Sequence, residues 1–127
     1  MTEKKRQRLI RATMAFLIKE LGGGTQIEAV GSFWSDAEQE VVHENVTICY
    51  SFCSDGDMKK HDREMNRLAN ALCIEFEQES IAMEKNNWFY LFSPSPKYIA
   101  NYKRDMKIAK QRGTEWGYEK WIKISGE

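Results

Sequence analysis

Two histidines, three cysteines and a pair of aspartates around a glycine are the residues of this 127-residue chain whose types could do chemistry. A thiolate nucleophile needs an adjacent base and a partly exposed, electropositive setting. Cys73 stands between Leu72 and Ile74 in a helical pattern, while Cys49 and Cys53 stand in a strand-like run, so all three fit as small apolar fillers. In an extended run the Cα atoms of Cys49 and Cys53 would lie about 13 Å apart, too far for a disulfide or for one zinc ion shared with His43. No C-x-x-C, H-x3-H or H-E-x-x-H spacing is present. The expectation is that the chain carries no metal and no cofactor.

Asp55 and Asp57 flank Gly56 as at the start of a calcium loop, yet Met58, Lys59, Lys60 and His61 follow where oxygen ligands would have to stand. Capping of a helix N-terminus by Asp55 or Asp57 accounts for them better. An enzyme with a loop-assembled site near Asp55, Asp57 and His61 is the third reading of function. Glu75, Glu77 and Glu79 form a solvated acidic rim. The run Gly22-Gly23-Gly24 follows a helix instead of opening one and lacks the Lys-Ser/Thr of a P-loop.

Cations interleaved with aromatic rings near the C-terminus supply the strongest site signal. Lys103, Arg104, Lys107, Lys110 and Arg112 recur at spacings of three and four, and Trp116, Tyr118 and Trp121 follow. Cations hold phosphates and flat rings stack on bases, so Lys103, Arg104, Lys107, Lys110, Arg112, Trp116 and Trp121 are the candidate binding residues.

The elements that must position these groups follow from periodicity. Glu3 to Leu21 spells a helix capped by Thr2 and carrying Ile10, Met14, Leu17 and Leu21 on one stripe, widened by Leu9 and Phe16. Alternation then predicts strands over Gln26–Trp34, Glu40–His43 and Asn45–Cys53, with a turn at Ser35–Gln39. The last of these has Val46, Ile48, Tyr50 and Phe52 on one face and Thr47, Cys49, Ser51 and Cys53 on the other, as a central strand covered on both sides would. A helix spans residues 57–77, with Met58, Met65, Leu68, Ala69, Leu72 and Phe76 in register. Ser80–Lys85 and Trp88–Phe92 form a hairpin about Asn86-Asn87, a pair suited to a type I′ turn. Lys97–Gln111 is a third helix, and Glu115–Ile124 is an edge strand or a short helix.

These elements define an α+β fold: a largely antiparallel sheet of about five strands with two or three helices packed mainly on one face. The expected domain organisation is one α+β domain over 1–127, made of an N-terminal helix (1–21), a sheet with its central helix (25–92, helix 57–77) and a basic helix with its tail (97–127).

Composition bounds the function classes. Hydrophobic residues make up 42% and charged residues 30% of the chain, as in a globular protein. No apolar run is longer than Trp88 to Phe92, against about 18 residues for a membrane span. Lys4, Lys5, Arg6 and Arg8 before the apolar stretch Ala12–Ile18 loosely imitate a signal peptide, but Arg11 and Lys19 bracket that stretch and no small-x-small site follows. With an odd number of cysteines, this predicts a cytoplasmic protein. Net charge is zero, yet residues 1–21 hold six Lys/Arg against two Asp/Glu, 22–96 five against thirteen, and 97–112 six against one. Basic segments that flank an acidic centre suit internal pairing, a partner subunit or a phosphate-binding surface.

Four tryptophans and six phenylalanines are a surplus for so short a chain, and an aromatic excess outside the core marks protein contacts. The leading expectation is therefore a small non-catalytic module that docks on another protein or on itself as a homodimer. It would suit an accessory or inhibitory protein of a bacterium or mobile element. Nucleic acid or a nucleotide, bound through the third helix and tail, is the second choice of partner, and a membrane is not expected.

Overall fold

A computed structural model describes residues 2–113 and 118–123 of the chain. They form two compact units, Met1–Met58 and Lys59–Glu127.

The first unit begins with α1 (Glu3–Leu21). Thr2 caps it, its hydroxyl accepting from the Lys5 N–H at 3.1 Å, and Gly22 ends it at φ 86 with its N–H donated to the Ile18 carbonyl. That φ is left-handed, which is why glycine stands there. Gly24 has a different task. A Cβ at this position would lie 3.1 Å from both the Leu17 Cβ and the Met14 Cε, so glycine here spares a tight contact where the chain turns back against α1. Ile10, Ala12 and Phe16 are buried, while Leu9, Met14, Leu17 and Leu21 are half-buried.

A long antiparallel ribbon follows, β1 (Thr25–Ser35) with β2 (Glu40–Tyr50). Its turn is held by the Gln39 N–H on the Ser35 carbonyl, the Glu38 N–H on the Ser35 hydroxyl and Gln39 at φ 55. The two strands expected at Glu40–His43 and Asn45–Cys53 are thus one. Glu44 interrupts the apolar series of Val42, Val46, Ile48 and Tyr50, but the register runs on through it unbroken, opposite Gly31. The strand ends at Tyr50, so Phe52 and Cys53 lie in the connection to the next helix.

α2 (Asp55–Glu75) opens on Ser54, whose hydroxyl accepts from the Asp57 N–H at 3.1 Å. The cap is therefore Ser54, and Asp55 and Asp57 occupy the first turn, where carboxylates favour the positive end of the helix dipole.

In the second unit, Met65, Leu68, Ala69, Leu72, Cys73 and Phe76 form the buried stripe of α2. The helix closes with Glu77 at φ 52 and the Gln78 N–H on the Cys73 carbonyl, a Schellman closure without glycine. β3 (Ile81–Lys85) and β4 (Trp88–Phe92) pair across Asn86 and Asn87, at φ 51 and 66, as the type I′ turn requires. α3 (Pro96–Gln111) is capped by Ser95, with Pro96 in its first turn, and α4 (Tyr118–Lys123) is a short helix where a strand was the alternative. Trp121 of α4 is buried against the rings of Tyr98 and Tyr102, at centroid distances of 5.7 and 4.8 Å. The Arg67 guanidinium lies 4.1 Å from the Trp121 ring centroid and donates to the Trp121 carbonyl at 2.9 Å.

The expected sheet of about five strands is not formed. Four described strands make two separate two-stranded antiparallel sheets, β1-β2 and β3-β4, with four helices. Each short turn dictates its own hairpin, whereas no sequence signal specifies pairing across the 21 residues of α2. No described helix is long and apolar enough to cross a membrane.

Candidate interaction surface

Alternation along the β1-β2 ribbon sorts its side chains onto two faces. One carries Ile27, Ala29 and Phe33 beside Ile48, Val46 and Val42; the other carries Glu28 beside Thr47, Ser32 beside His43, and Trp34 beside Val41. Arg6 of α1 reaches the second face, donating to Glu28 Oε2 at 2.6 Å and to the Thr47 hydroxyl, which itself donates to the same carboxylate. The hydrogen bond to Arg6 holds the Glu28 carboxyl below its ordinary value of 4.5, and Glu28 in turn raises Arg6.

The outer half of the ribbon is different. Val30, Phe33, Trp34 and Val41 are exposed there, with Trp34 57% accessible. Exposed Asp36, Glu38, Glu40 and Glu44 rim them, and residues 22–57 contain no lysine or arginine. An isolated two-stranded ribbon is marginally stable at best, and large side chains left in water on it contribute nothing to its own core. The second hairpin repeats the theme. Trp88 and Phe89 are 70% and 71% accessible, and Leu91 is exposed beside Ala82.

The candidate residues drawn from sequence divide. Lys103, Arg104, Lys107 and Lys110 on α3, and Arg112 at its end, are exposed. Trp121 is 5% accessible, its ring enclosed by Arg67, Tyr98 and Tyr102. Trp116 lies outside the described residues. Asp55 and Asp57 are exposed, while His61 is buried with its Nδ1 3.6 Å from Glu64 Oε2. His43 Nδ1 and the Ser32 hydroxyl are 2.7 Å apart across the ribbon, an exposed cross-strand polar pair.

The thiols are free. Burial pushes Cys73 up to about 11 and raises Cys49, the latter helped by Glu28, which leaves neither a ready thiolate at neutral pH. Phe33, Val30, Val41, Trp88 and Phe89 were not marked by sequence reasoning. Their signal was apolar residues on both phases of a strand, which is also the pattern of a strand covered on both faces.

No protein-family model, curated protein or solved structure matches this chain.

Proposed function

We propose that this protein is a non-catalytic binding module that works through protein–protein contacts, using the exposed side chains of its two hairpins. One observation carries the reading: Trp34, Trp88 and Phe89 are each more than half accessible on two-stranded sheets that cannot enclose them. Aromatic anchors surrounded by polar residues are the usual energetic centre of a protein interface. The raised Cys49 and Cys73 thiols fit a role without covalent chemistry.

The test is affinity enrichment with full-length baits, comparing wild type with a Phe33→Ser/Trp34→Ser variant and a Trp88→Ser/Phe89→Ser variant. Enrichment of a polypeptide, this chain included, that either variant loses while staying folded supports the reading. Equal enrichment by all three baits overturns it.

A second reading, nucleic acid or a nucleotide held on α3, is favoured by the exposure of Lys103, Arg104, Lys107, Lys110 and Arg112. It predicts oligonucleotide binding that weakens steeply with salt and is lost on charge reversal at Lys107 and Lys110. Burial of Trp121 removes one of the rings that would stack on bases.

A further inference from the structure

We infer that β4 pairs edge to edge with β4 of a second copy of this chain, antiparallel and centred on Tyr90, so that two β3-β4 hairpins join into one sheet. The inference rests on the reading of the chain as a contact module and names, for the second hairpin, the partner and the register.

Backbone geometry decides what fits this edge. In a hairpin closed by a two-residue turn, the flanking pair Lys85 and Trp88 exchanges hydrogen bonds, and such pairs then alternate with pairs that do not. Phe89 and Leu91 belong to the second kind, opposite Glu84 and Ala82, so their N–H and C=O groups point away from β3. Among the described residues no further strand takes them, and no turn or side-chain hydrogen bond reaches them. Donors and acceptors at every second residue of an extended backbone are complementary to another strand.

The residues of β4 choose a second copy as that strand. Trp88-Phe89-Tyr90-Leu91-Phe92 has neither charge nor proline, the devices that commonly keep an edge strand from pairing with its own kind, whereas β3 carries Glu84 and Lys85. Centred on Tyr90, the strand is complementary to itself: Phe89 of each copy exchanges hydrogen bonds with Leu91 of the other, and Tyr90 stands opposite Tyr90. On the face that carries Ala82 and Glu84, Phe89 and Leu91 then form apolar cross-strand pairs. On the face turned to α2, where Lys85 reaches Asp62 and the Tyr90 ring, Trp88 lies opposite Phe92 of the other copy.

The exposed area sets the strength. An aromatic side chain buries ~150–250 Å² when fully enclosed, so Trp88 and Phe89, with Tyr90 42% and Leu91 63% accessible, leave roughly 500 Å² of each copy in water. Two copies thus have about 1,000 Å² to cover, the low end for a specific contact, and the dimer is weak. Two-fold symmetry closes it, since each β4 edge is used once. Apolar side chains and backbone hydrogen bonds make it nearly insensitive to salt.

Sedimentation velocity of the full chain tests it. Wild type is expected to dimerise reversibly in the micromolar range, with a dissociation constant that changes less than about threefold between about 50 and 500 mM salt. In a Phe89→Lys/Leu91→Lys variant like charges stand opposite each other across the new ladder, and the dissociation constant should rise roughly tenfold or more. A Phe89→Lys/Leu91→Glu variant sets opposite charges against each other in the same register and should regain much of that loss. Leu91→Pro removes an N–H that only the second copy uses and should be monomeric. Circular dichroism checks that each variant keeps the wild-type fold.

A wild type that stays monomeric up to about 1 mM, a dimer unaffected in the first variant, or a second variant that pairs no better than the first overturns the inference. So does a dimer that dissociates steeply with salt, which assigns self-association to charged surfaces instead. If wild type is monomeric while the affinity comparison still finds another polypeptide lost by the Trp88→Ser/Phe89→Ser variant, this inference fails and the contact-module reading stands.

Discussion

The Lys85 ammonium at the end of β3 lies 2.7 Å from the Asp62 carboxylate and 2.5 Å from the Asn66 side-chain oxygen on α2. The lysine side chain is 8% accessible and its Nζ is 4.9 Å from the Tyr90 ring centroid, whereas Asp62 is half exposed. The hairpin is thereby tied to α2 by a charge that is itself enclosed, and removing Asp62 leaves that buried cation without its counter-charge, with only the neutral Asn66 oxygen as acceptor.

Asp62→Ala should accordingly lower stability by about 1–3 kcal/mol, the range for leaving a buried polar group without its partner. Adding Lys85→Met should recover most of that loss, since an apolar side chain of similar length needs no acceptor. Urea unfolding of the two single variants and the double variant checks this. Additive losses in the double variant would contradict the account.

The Arg6–Glu28 bridge gives the first unit an acid-sensitive attachment of α1 to the ribbon. A carboxyl depressed below its ordinary value stabilises the fold above that value and loses its contribution as pH falls through the folded one. Arg6, raised above its ordinary value, is protonated throughout this range and adds no acid-side dependence. Wild type should thus be more stable than Glu28→Gln near neutrality, and the two should converge as pH drops below 4.5, the ordinary value for Glu28. Urea midpoints across that range measure it. A gap that is constant with pH would mean that Glu28 acts by some route other than its charge.

Cys73, 2% accessible and donating its S–H to the Phe92 carbonyl, should resist alkylation at pH 8 in the folded protein and react fully in urea. Cys49 and Cys53 are only half-buried, so both should label before it. Peptide mapping after a timed pulse of iodoacetamide reads the order. Labelling of Cys73 as fast as Cys53 would contradict the packing of β4 on α2.

Trp121 closes the second unit through Tyr98, Tyr102 and Arg67, so Trp121→Ala should cost about 3–5 kcal/mol, as for other large-to-small core changes. Trp121→Phe keeps the edge-to-face geometry and should cost much less. Thermal unfolding compares the two. Equal, small losses would show that α4 is not docked.

Local structure was legible in the sequence wherever one side chain dictates one geometry: Thr2 as a cap, Gly22 as a helix stop, Asn86-Asn87 as a hairpin turn. The pairing of strands was not, because alternation records which side chains share a face and says nothing of what lies beside or above the strand. Glu44 suggested a break where the ribbon in fact runs on, and this could be seen only with the register in hand. The site divided for a related reason. Cations on α3 announce exposure by their charge, whereas an indole fits equally well in a core or at an interface, so Trp121 and Trp34 were interchangeable until their neighbours were known.

The central claim is that Phe33, Trp34 and Val41 serve contacts made outside the chain and not its own core. Urea unfolding of a Phe33→Ser/Trp34→Ser/Val41→Ser variant, at a dilution where wild type is monomeric, tests it most directly. The account predicts a midpoint within about 0.5 kcal/mol of wild type, as for surface positions away from packing. A loss of several kcal/mol, the signature of emptied core positions, would contradict it.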